Sequence, residues 1–467
     1  MEPKCEATEA GAVSLDISRA VREGQSPDQA RPLAVAWADV EACVDRITAA
    51  HKQLHDGTAA GSGFLSLDWE GWASVEAEQL AERLGQETDT LLVVGMGGSA
   101  LGARTIAAAL TQETSASSSR RVEVLDTVDP SVVREVCGRL NPRRTAVVAI
   151  SKSGSTVEAL ALVRVLTSWL RDSVGELWSS RVAVVTESGE SLLGGFASEH
   201  GISTLPVPGH VGGRFSVLTA VGQLPAAYMG VNCAQLRQGA DAMKARVQVE
   251  DLNSNPSWQW AAVHDAWVAH APLSTLLIYG DQLGPFGRWF RQLVSESLGK
   301  RDADGVAHGL VPVVGRGPAD QHSQLQLWTE GPRNSVFTVA RIGDLGGSMS
   351  QDAGTGPAMH LAPWLGELGL AGLLDAQCRG TTAALIEGGL PVVELSIPKV
   401  DAHALGELFV LYETAVALLG LSWGIDPFDQ PGVELAKRFT AALLGGAGLE
   451  SERHRVLALL ARPEHTK

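Results

Sequence analysis

The sequence predicts an α/β protein built from two doubly wound α/β/α sandwiches with mainly parallel sheets. Short β-rich runs alternate with amphipathic helical segments; the runs lie at 91–96, 122–126, 145–151, 181–186, 274–280 and 335–342. This alternation is typical of βαβ units, in which helices cover both faces of a parallel sheet. LLVVGMGGSALG and TLLIYGDQLGPFG both contain a strand, a glycine turn and the start of a helix, which indicates a weak internal duplication.

The chain length predicts several domains, because 467 residues exceed what one hydrophobic core usually supports. Apolar residues at helical spacing predict an N-terminal helical segment at 1–85. We expect a first sandwich at 86–228, a second at 229–430 and a C-terminal helical segment at 431–467.

Composition excludes several classes of partner. The 37 Lys and Arg residues face 53 Asp and Glu residues, so the formal net charge is −16 and the surface repels nucleic acid and anionic lipid. An anionic substrate must therefore be bound by cations and amides placed locally. The apolar stretch at 408–425 carries Glu413 and ends among glycines, so we expect a buried core helix and no membrane span.

The cysteines and the N-terminus predict a cytoplasmic protein. The five cysteines are scattered and form no CxxC pair, which is typical of reduced thiols in the cytosol. The first residues show no basic region followed by an apolar run, so no secretory signal is expected. No cluster such as HExxH is present, and neither a metal ion nor a cofactor is expected.

The glycine turn GMGGSALG at 95–102 is open to three interpretations. Gly95, Gly97 and Ala100 fit the dinucleotide pattern, and Asp126 ends the next predicted strand, so a nicotinamide cofactor is one interpretation. A tight turn between a strand and a helix explains the same glycines. A phosphate site is the third, with amides at the start of a helix beside Ser99. The motif alone does not decide among them.

The loop SKSGSTVE at 151–158 favours phosphate more clearly. Ser155 and Glu158 predict a capping box, with the free amides of a helix facing the loop. Hydroxyls, amides, the helix dipole and one amine together suit a phosphate dianion. A serine-rich helix cap explains one such loop, but two in consecutive βα units favour phosphate. The candidate residues of this loop are Ser151, Lys152, Ser153, Gly154, Ser155 and Thr156.

Later segments supply candidates for acid–base chemistry. Arg214 follows two glycines, where backbone can approach a ligand closely, although such an arginine is often only part of a surface turn. Gln292 and Glu296 lie four residues apart on one face of a predicted helix that ends at Gly299. Trp289 shares part of that face, so we expect partial desolvation to suit Glu296 to the role of a base. A solvated carboxylate is the alternative.

Three further residues carry less signal by themselves. His322 lies in a predicted loop, and an isolated histidine is more often structural. Gln430 and Lys437 are seven residues apart, on one side of a helix predicted to begin at Pro431. A lysine on a helix usually faces solvent.

Taken jointly, these segments resemble the glucose-6-phosphate isomerase family over roughly residues 90 to 440. VGGRFSVLTAVGQLPAA (211–227) and GIDPFDQPGVELAKR (424–438) are similar to its two long signatures. GMGGSALG, SKSGSTVEA, QLVSESLGK and DQH occur in the family's order. The resemblance implies the sugar-isomerase (SIS) fold and isomerisation of a sugar phosphate without metal or cofactor. The chain is closer in length to compact bacterial members than to the animal enzymes.

The resemblance also implies roles for individual residues. Glu296 matches the base that moves a proton between carbons 1 and 2, and Arg214 matches the group that stabilises the enediolate. His322 and Lys437 match the ring-opening pair, and Gln292 matches a glutamine that orients the sugar. The positions implied to bind substrate also include Gly98, Ser99, Gln430 and the loop Ser151 to Thr156.

The resemblance further implies assembly. Members of the family are dimers in which the histidine matching His322 reaches the partner's active site. The loop before this histidine reads GPADQH here, where the family often has GTNGQH.

Three other functions compete with this interpretation. A dehydrogenase would use the glycine turn and Asp126, and the hydroxyl-rich second loop argues against it. A non-catalytic sugar-phosphate sensor would retain the phosphate loops and lose the base, whereas Glu296, His322 and Lys437 all remain. Another SIS isomerase, such as half of a hexosamine-forming amidotransferase, would normally bring a glutaminase domain, for which the 85 residues before the first sandwich are too few.

Overall fold

The computed structural model describes residues 11–22, 35–67, 72–115, 119–345 and 356–461. Its strands are β1 (Ser14–Asp16), β2 (Val21–Arg22), β3 (Val35–Ala36), β4 (Thr90–Val94), β5 (Arg121–Leu125), β6 (Thr145–Ile150), β7 (Val182–Glu187), β8 (Ser203–Val207), β9 (Leu273–Tyr279), β10 (Lys300–Arg301), β11 (Ala307–His308), β12 (Val311–Arg316), β13 (Ser335–Asp344) and β14 (Val392–Lys399).

The α-helices alternate with these strands, as predicted. They are α1 (Trp37–His55), α2 (Trp72–Gly85), α3 (Gly98–Ser115), α4 (Pro130–Arg139), α5 (Val157–Val174), α6 (Leu192–Glu199), α7 (Ala220–Met229), α8 (Cys233–Val247), α9 (Pro256–Trp267), α10 (Gly284–Leu298), α11 (Leu325–Glu330), α12 (Leu365–Glu387), α13 (Ala402–Ser422), α14 (Glu434–Leu443) and α15 (Glu450–Leu460).

The first sheet has the strand order β5-β4-β6-β7-β8, and all of its strands run parallel. Strands β4 and β6 are buried along their whole length, which explains their continuous apolar sequences. The chain leaves β4 for β5 on one side and returns to β6 on the other, so β4 and β6 flank the switch in strand order. Loops that follow such strands form the ligand-binding crevice of a doubly wound sheet. The two glycine- and hydroxyl-rich loops therefore meet there.

The second sheet has the order β1-β14-β13-β9-β12. Strands β14, β13, β9 and β12 are parallel, and β1 is antiparallel at the edge. The six predicted strands are confirmed, and so are two doubly wound sandwiches. Four strands of the two sheets are not predicted from the sequence, namely β1, β8, β12 and β14. Proline and glycine interrupt VPVVGR in β12, as is usual at a sheet edge.

The N-terminal segment is less purely helical than its sequence pattern predicts. Helices α1 and α2 are present, but β1 joins the second sheet by pairing with β14. The buried Glu407 carboxylate accepts a hydrogen bond of 3.0 Å from the Val13 amide and so helps to hold this strand. A three-residue strand is too short to show an alternating pattern. The division at 85, 228 and 430 stays a prediction.

Helix α13 is the buried core helix that the apolar stretch predicts. By length and composition it could cross a membrane, yet 94% of its apolar window is buried inside the fold. Burial raises the pKa of Glu413 well above its usual value, because the carboxyl is enclosed by the core. The predicted core residues Trp258, Trp260 and Trp267 on neighbouring α9 are also buried.

Helices α8 and α13 approach so closely that glycine is required on both. A Cβ atom at Gly239 would lie 1.8 Å from the carbonyl oxygen of His403, and one at Gly406 would lie 2.1 Å from that of Leu236. Backbone cannot yield as a flexible side chain can. The close contact therefore depends on these two residues.

We expect Gly406→Ala to destabilise the protein by roughly 1–3 kcal/mol, because the added methyl overpacks two backbones. Urea unfolding followed by circular dichroism measures this change. Gly380→Ala on exposed α12 is the matched control, since a Cβ there meets nothing within 4 Å. It should be neutral or stabilising by up to ~1 kcal/mol. Equal unfolding midpoints for the two variants would contradict the close-packing interpretation.

Candidate active site

The glycine turn after β4 packs directly against the segment that carries Arg214. A Cβ at Gly98 would lie 2.3 Å from the carbonyl oxygen of Gly213, and one at Gly97 would lie 2.6 Å from Nε2 of Gln292. Gly97 also has a φ of 52°, in the left-handed region. Ser99 is half-buried in the first turn of α3. The turn therefore contacts groups from two other parts of the candidate site.

The loop after β6 has the hydroxyl groups that the sequence predicts, but its cap differs. The buried Ser151 Oγ lies 2.9 Å from Thr156 Oγ1. Ser155 Oγ donates to Ser153 Oγ at 3.0 Å, so the capping box with Glu158 is wrong. The N-cap of α5 is Thr156, and its side chain makes no capping hydrogen bond. The short polar side chains bond to one another across a tight turn.

Lys152 and Gly154 shape this loop through their surroundings. Lys152 Nζ donates a hydrogen bond of 2.9 Å to the carbonyl oxygen of Gly209. Gly154 has a φ of 60°, and a Cβ there would lie 2.3 Å from Ser191 Oγ. Ser153 and Ser155 are exposed at the end of the strand. Their hydroxyls are accessible, whereas the amine of Lys152 is engaged with backbone.

Arg214 is a buried cation whose side chain is 2% exposed. Its Nε donates to Ser297 Oγ at 2.8 Å, and its Nη1 donates to Gln430 Oε1 at 2.8 Å. Its Nη2 donates to the carbonyl oxygens of Asp429, at 2.9 Å, and Pro427. Burial lowers the pKa of Arg214, and nearby carboxylates led by Glu296 oppose that shift. Four of five guanidinium N–H groups are thus engaged, and one on Nη1 has no hydrogen-bond partner among the residues that the structure describes.

Glu296 stands beside that free N–H group. Its Oε2 lies 3.7 Å from Arg214 Nη1, which is too long for a hydrogen bond, and its side chain is 34% exposed. Gln292 Nε2 donates to Glu296 Oε1 at 3.2 Å, as their spacing on α10 predicts. Gln292 Oε1 is buried and has no hydrogen-bond partner in the described part of the chain. The carboxylate, the amide and the guanidinium therefore surround one small space.

The sequence analysis missed two residues that support this arrangement. Ser297 follows Glu296 and holds Arg214. Lys300 Nζ pairs with Asp429 Oδ1 at 2.7 Å and donates to the carbonyl oxygen of Asp426. Burial lowers the pKa of Lys300, while Asp429 opposes the shift. The QLVSESLGK motif contains both residues, but only their contacts reveal a supporting role.

A cavity of about 770 Å³ opens beside Glu296. Gln430 and Lys300 line it, together with His308 from the β10–β11 hairpin. His308 Nε2 lies 2.9 Å from Asp302 Oδ2, and the imidazole stacks on Trp423. No sequence motif singles out His308. Within the described ranges, no cluster of three or more His, Cys, Asp or Glu side chains is arranged to hold a metal ion.

The structure does not bring Lys437 into contact with Glu296. Lys437 lies on exposed α14, and its Nζ pairs with Glu434 Oε1 at 2.7 Å. The helical turn at Pro431–Val433 begins where the sequence predicts a helix, and it lines the cavity beside Glu296. Lys437 therefore lies on α14, the helix that follows this turn and extends away from the cavity.

His322 is also exposed and forms no hydrogen bond or ion pair with Glu296 in the described part of the chain. The preceding Gln321 is firmly held, because its Nε2 donates to Tyr279 Oη at 2.7 Å and to Thr381 Oγ1. Asp320 accepts a hydrogen bond of 2.6 Å from the Arg316 amide. These hydrogen bonds hold the GPADQH loop in place, and His322 is exposed at its end.

The chain resembles known proteins over most of its length. A family model described as phosphoglucose isomerase matches residues 19–336 and 379–453. The glucose-6-phosphate isomerase of Carboxydothermus hydrogenoformans is 32% identical over 438 residues, which cover 91% of this chain and 94% of that protein. A probable glucose-6-phosphate isomerase of Natronomonas pharaonis is 36% identical over 422 residues, with coverages of 89% and 93%.

A solved structure agrees with this result. The crystal structure of a hypothetical protein from Thermus thermophilus covers 93% of this chain and 100% of its own, with a TM-score of 0.83 and 30% identity. The family model and the two relatives each cover well over half of the chain. The chain therefore belongs to the phosphoglucose isomerase family.

Proposed function

We propose that the chain interconverts glucose 6-phosphate and fructose 6-phosphate, with Glu296 as the base and Arg214 as the stabiliser of the intermediate. Family membership and the names of the relatives give the reaction. The observation that carries the residue roles is the single free N–H group of Arg214, on the nitrogen 3.7 Å from Glu296. Aldose–ketose isomerisation needs this pairing of a base with a fixed cation.

Substrate binding would begin at the phosphate. The exposed hydroxyls of Ser153 and Ser155 and the first amides of α5 suit a phosphate dianion at the switch crevice. Gly98 and Ser99 approach from the neighbouring turn. Binding energy from the phosphate, which does not react, can then align the reacting carbons with Glu296.

Proton transfer would use the geometry around Glu296. In the open-chain aldose the carboxylate takes the proton from carbon 2 and returns it to carbon 1, while the hydroxyl proton of oxygen 2 passes to oxygen 1, so that carbon 2 becomes the ketone. The intermediate enediolate carries negative charge on oxygen. A guanidinium that other contacts already hold in place can stabilise this charge with little reorganisation. Gln292, hydrogen-bonded to Glu296, would orient both the base and the sugar.

Ring opening would require His322 and Lys437, which stand apart from Glu296 in one chain. We propose a homodimer in which His322 of each subunit enters the cavity beside Glu296 of the other. The exposed position of His322 and the size of that cavity support this arrangement.

The C-terminal helices give the dimer independent support. Helices α14 and α15 pack against each other and leave apolar side chains exposed, namely Leu435, Leu443, Leu444, Leu457, Leu459 and Leu460. Exposed apolar side chains on two adjacent helices are typical of a surface that another subunit covers. A second subunit that covers this face would also contact α14, the helix that carries Lys437. We place the enzyme in the cytoplasm on the basis of its scattered, reduced cysteines.

The alternatives have less support. Asp126, which a nicotinamide cofactor would need for its ribose, already accepts a hydrogen bond of 2.7 Å from Arg104. A sensor would not require a base paired with a fixed guanidinium, so the arrangement of Glu296 and Arg214 favours an isomerase. Another SIS isomerase would use the same pair, and the family model and the named relatives favour the proposed reaction over it.

We expect purified protein to convert fructose 6-phosphate to glucose 6-phosphate in a coupled assay, with or without a chelator. Glu296→Gln should lower turnover by at least ~10²–10⁴-fold, because the amide cannot accept the carbon-bound proton. Exchange of solvent deuterium into carbon 2 measures proton abstraction directly.

Glu199→Gln is the control for this experiment, since Glu199 is exposed at the end of α6 and does not line the cavity beside Glu296. It should retain full exchange. Deuterium exchange at the normal rate in Glu296→Gln would assign the base to another residue, and absence of any turnover in the unmodified protein would refute the reaction itself.

We expect mixed inactive variants to restore activity if the sites are shared. In a heterodimer of Glu296→Gln and His322→Ala, one site carries both changes and the other carries neither, because the interface is two-fold symmetric. Random exchange makes about half of the dimers heterodimers, so activity should reach about a quarter of normal. Mass-tagged subunits verify exchange. If exchange is complete and activity stays at zero, each site is built within one chain.

A further inference from the structure

A second cavity, of about 650 Å³, lies between the two sandwiches. Helix α3, strand β5 and helix α4 bound it on one side, and the start of α10 and the end of β12 bound it on the other. It shares no lining residue with the cavity beside Glu296. The cavity is therefore separate from the proposed catalytic site.

This cleft is positively charged in a strongly acidic protein. Its charged lining residues are four arginines, Arg104, Arg139, Arg288 and Arg316, and two carboxylates, Glu123 and Asp281. The lining thus has a formal surplus of two positive charges, whereas the whole chain has a net charge of −16. A local surplus of this sign raises the concentration of anions at the cleft.

Three of the arginines are already paired, yet each keeps unused donors. Arg139 donates to both oxygens of Glu123, at 2.8 and 2.7 Å. Arg316 donates to both oxygens of Asp281, at 3.2 and 2.7 Å. A guanidinium has five N–H groups, so a bidentate pair leaves donors for a second anion. These ion pairs fix the position of the arginines without using all of their N–H donors.

One of the four arginines is unpaired in the described part of the chain. Arg288 is exposed and forms no hydrogen bond or ion pair with any residue that the structure describes. Arg104 donates through Nη2 to Asp126 and to the Val124 carbonyl oxygen, while its Nε is enclosed by protein. Arg288 is therefore the cation of this cleft that is most available to an anion.

The start of α10 lines the cleft through Gly284 and Pro285. The Gly284 amide donates to the carbonyl oxygen of Asp281, and Pro285 has no N–H group. The helix start therefore adds the field of its dipole to the attraction from the arginines, but these two residues add no amide donor.

We propose that this cleft is a second anion site, which binds a small phosphate-bearing dianion between the two sandwiches. Its position gives it access to the catalytic helices. Arg288 lies one turn before Gln292 on the same face of α10, and Arg104 lies on α3, which begins at Gly98. A bound dianion connects the helix that carries the base with the helix that begins at the phosphate turn. The site itself does not depend on the proposed reaction.

Equilibrium dialysis of the unmodified protein with radiolabelled inorganic phosphate tests this proposal. We expect two phosphates per chain, one at the loop after β6 and one in the cleft. Arg288→Gln should weaken the second phosphate about 10- to 100-fold, because a hydrogen bond to a charged group is lost. Arg291→Gln is the matched control: it removes the same charge from the same helix, and Arg291 does not line the cleft.

Each binding result either supports or overturns the second anion site. Two phosphates in the unmodified protein and in Arg291→Gln, with one in Arg288→Gln, support the site, whether or not the protein isomerises sugars. A single phosphate in all three proteins overturns it, and so do equal binding curves for the two variants. Melting temperatures should match, since both arginines are exposed. A shift in dimer dissociation with Arg288→Gln and no second phosphate would mean that a partner subunit fills the cleft, and this also overturns the proposal.

Discussion

The buried guanidinium of Arg214 is the interaction on which the candidate site depends. A cation with a side chain that is 2% exposed would be costly without partners, and its four hydrogen bonds come from two separate parts of the chain. Ser297 belongs to α10, whereas Pro427, Asp429 and Gln430 belong to the loop that leads to the C-terminal helices. A hydrogen bond to a charged group typically contributes ~1.5–3 kcal/mol. The same contacts that satisfy the charge therefore bring α10, which carries Glu296, and the loop at 427–430 to Arg214.

Neighbouring contacts keep this arrangement in place. Phe215, next to Arg214, packs against Phe64 and Phe428 with ring centroids 5.1 Å away in each case. The N-terminal segment, the glycine–arginine segment and the C-terminal loop thus share one aromatic cluster. Gly98 allows the glycine turn after β4 to reach the same point, because any side chain there would clash with the Gly213 carbonyl. Aromatic packing and the hydrogen bonds of Arg214 therefore stabilise the same arrangement of these segments.

The sequence predicts the strands and loops that have strong local signals. Buried parallel strands such as β4 and β6 are continuous apolar runs, and the glycine and serine loops follow directly from their ends. Strand β1 is too short for a pattern, and β12 has a proline and a glycine. Those elements depend on tertiary contacts, which a local pattern does not contain.

The residues of the candidate site also fall into two groups, those that the local sequence predicts and those whose roles only tertiary contacts reveal. The pairing of Gln292 with Glu296 follows from helical spacing, and the structure brings both to Arg214. Ser297 and Lys300 acquire their supporting roles only from contacts that the fold creates. His322 and Lys437 were selected by resemblance, and in one chain they lie on exposed elements. The contacts that a second subunit would add to them are not encoded in any local pattern of one chain.

The kinetics of Arg214→Lys test the central claim most directly. Lysine keeps the charge but cannot reproduce the four fixed contacts and the one free N–H group that faces Glu296. The account predicts a fall in kcat of about 10²–10³-fold for fructose 6-phosphate with KM little changed, because the lost donor acts mainly in the transition state. Circular dichroism and urea unfolding establish how much of the variant is folded. A folded variant with a normal kcat, or one whose whole loss lies in KM, would contradict the role of Arg214.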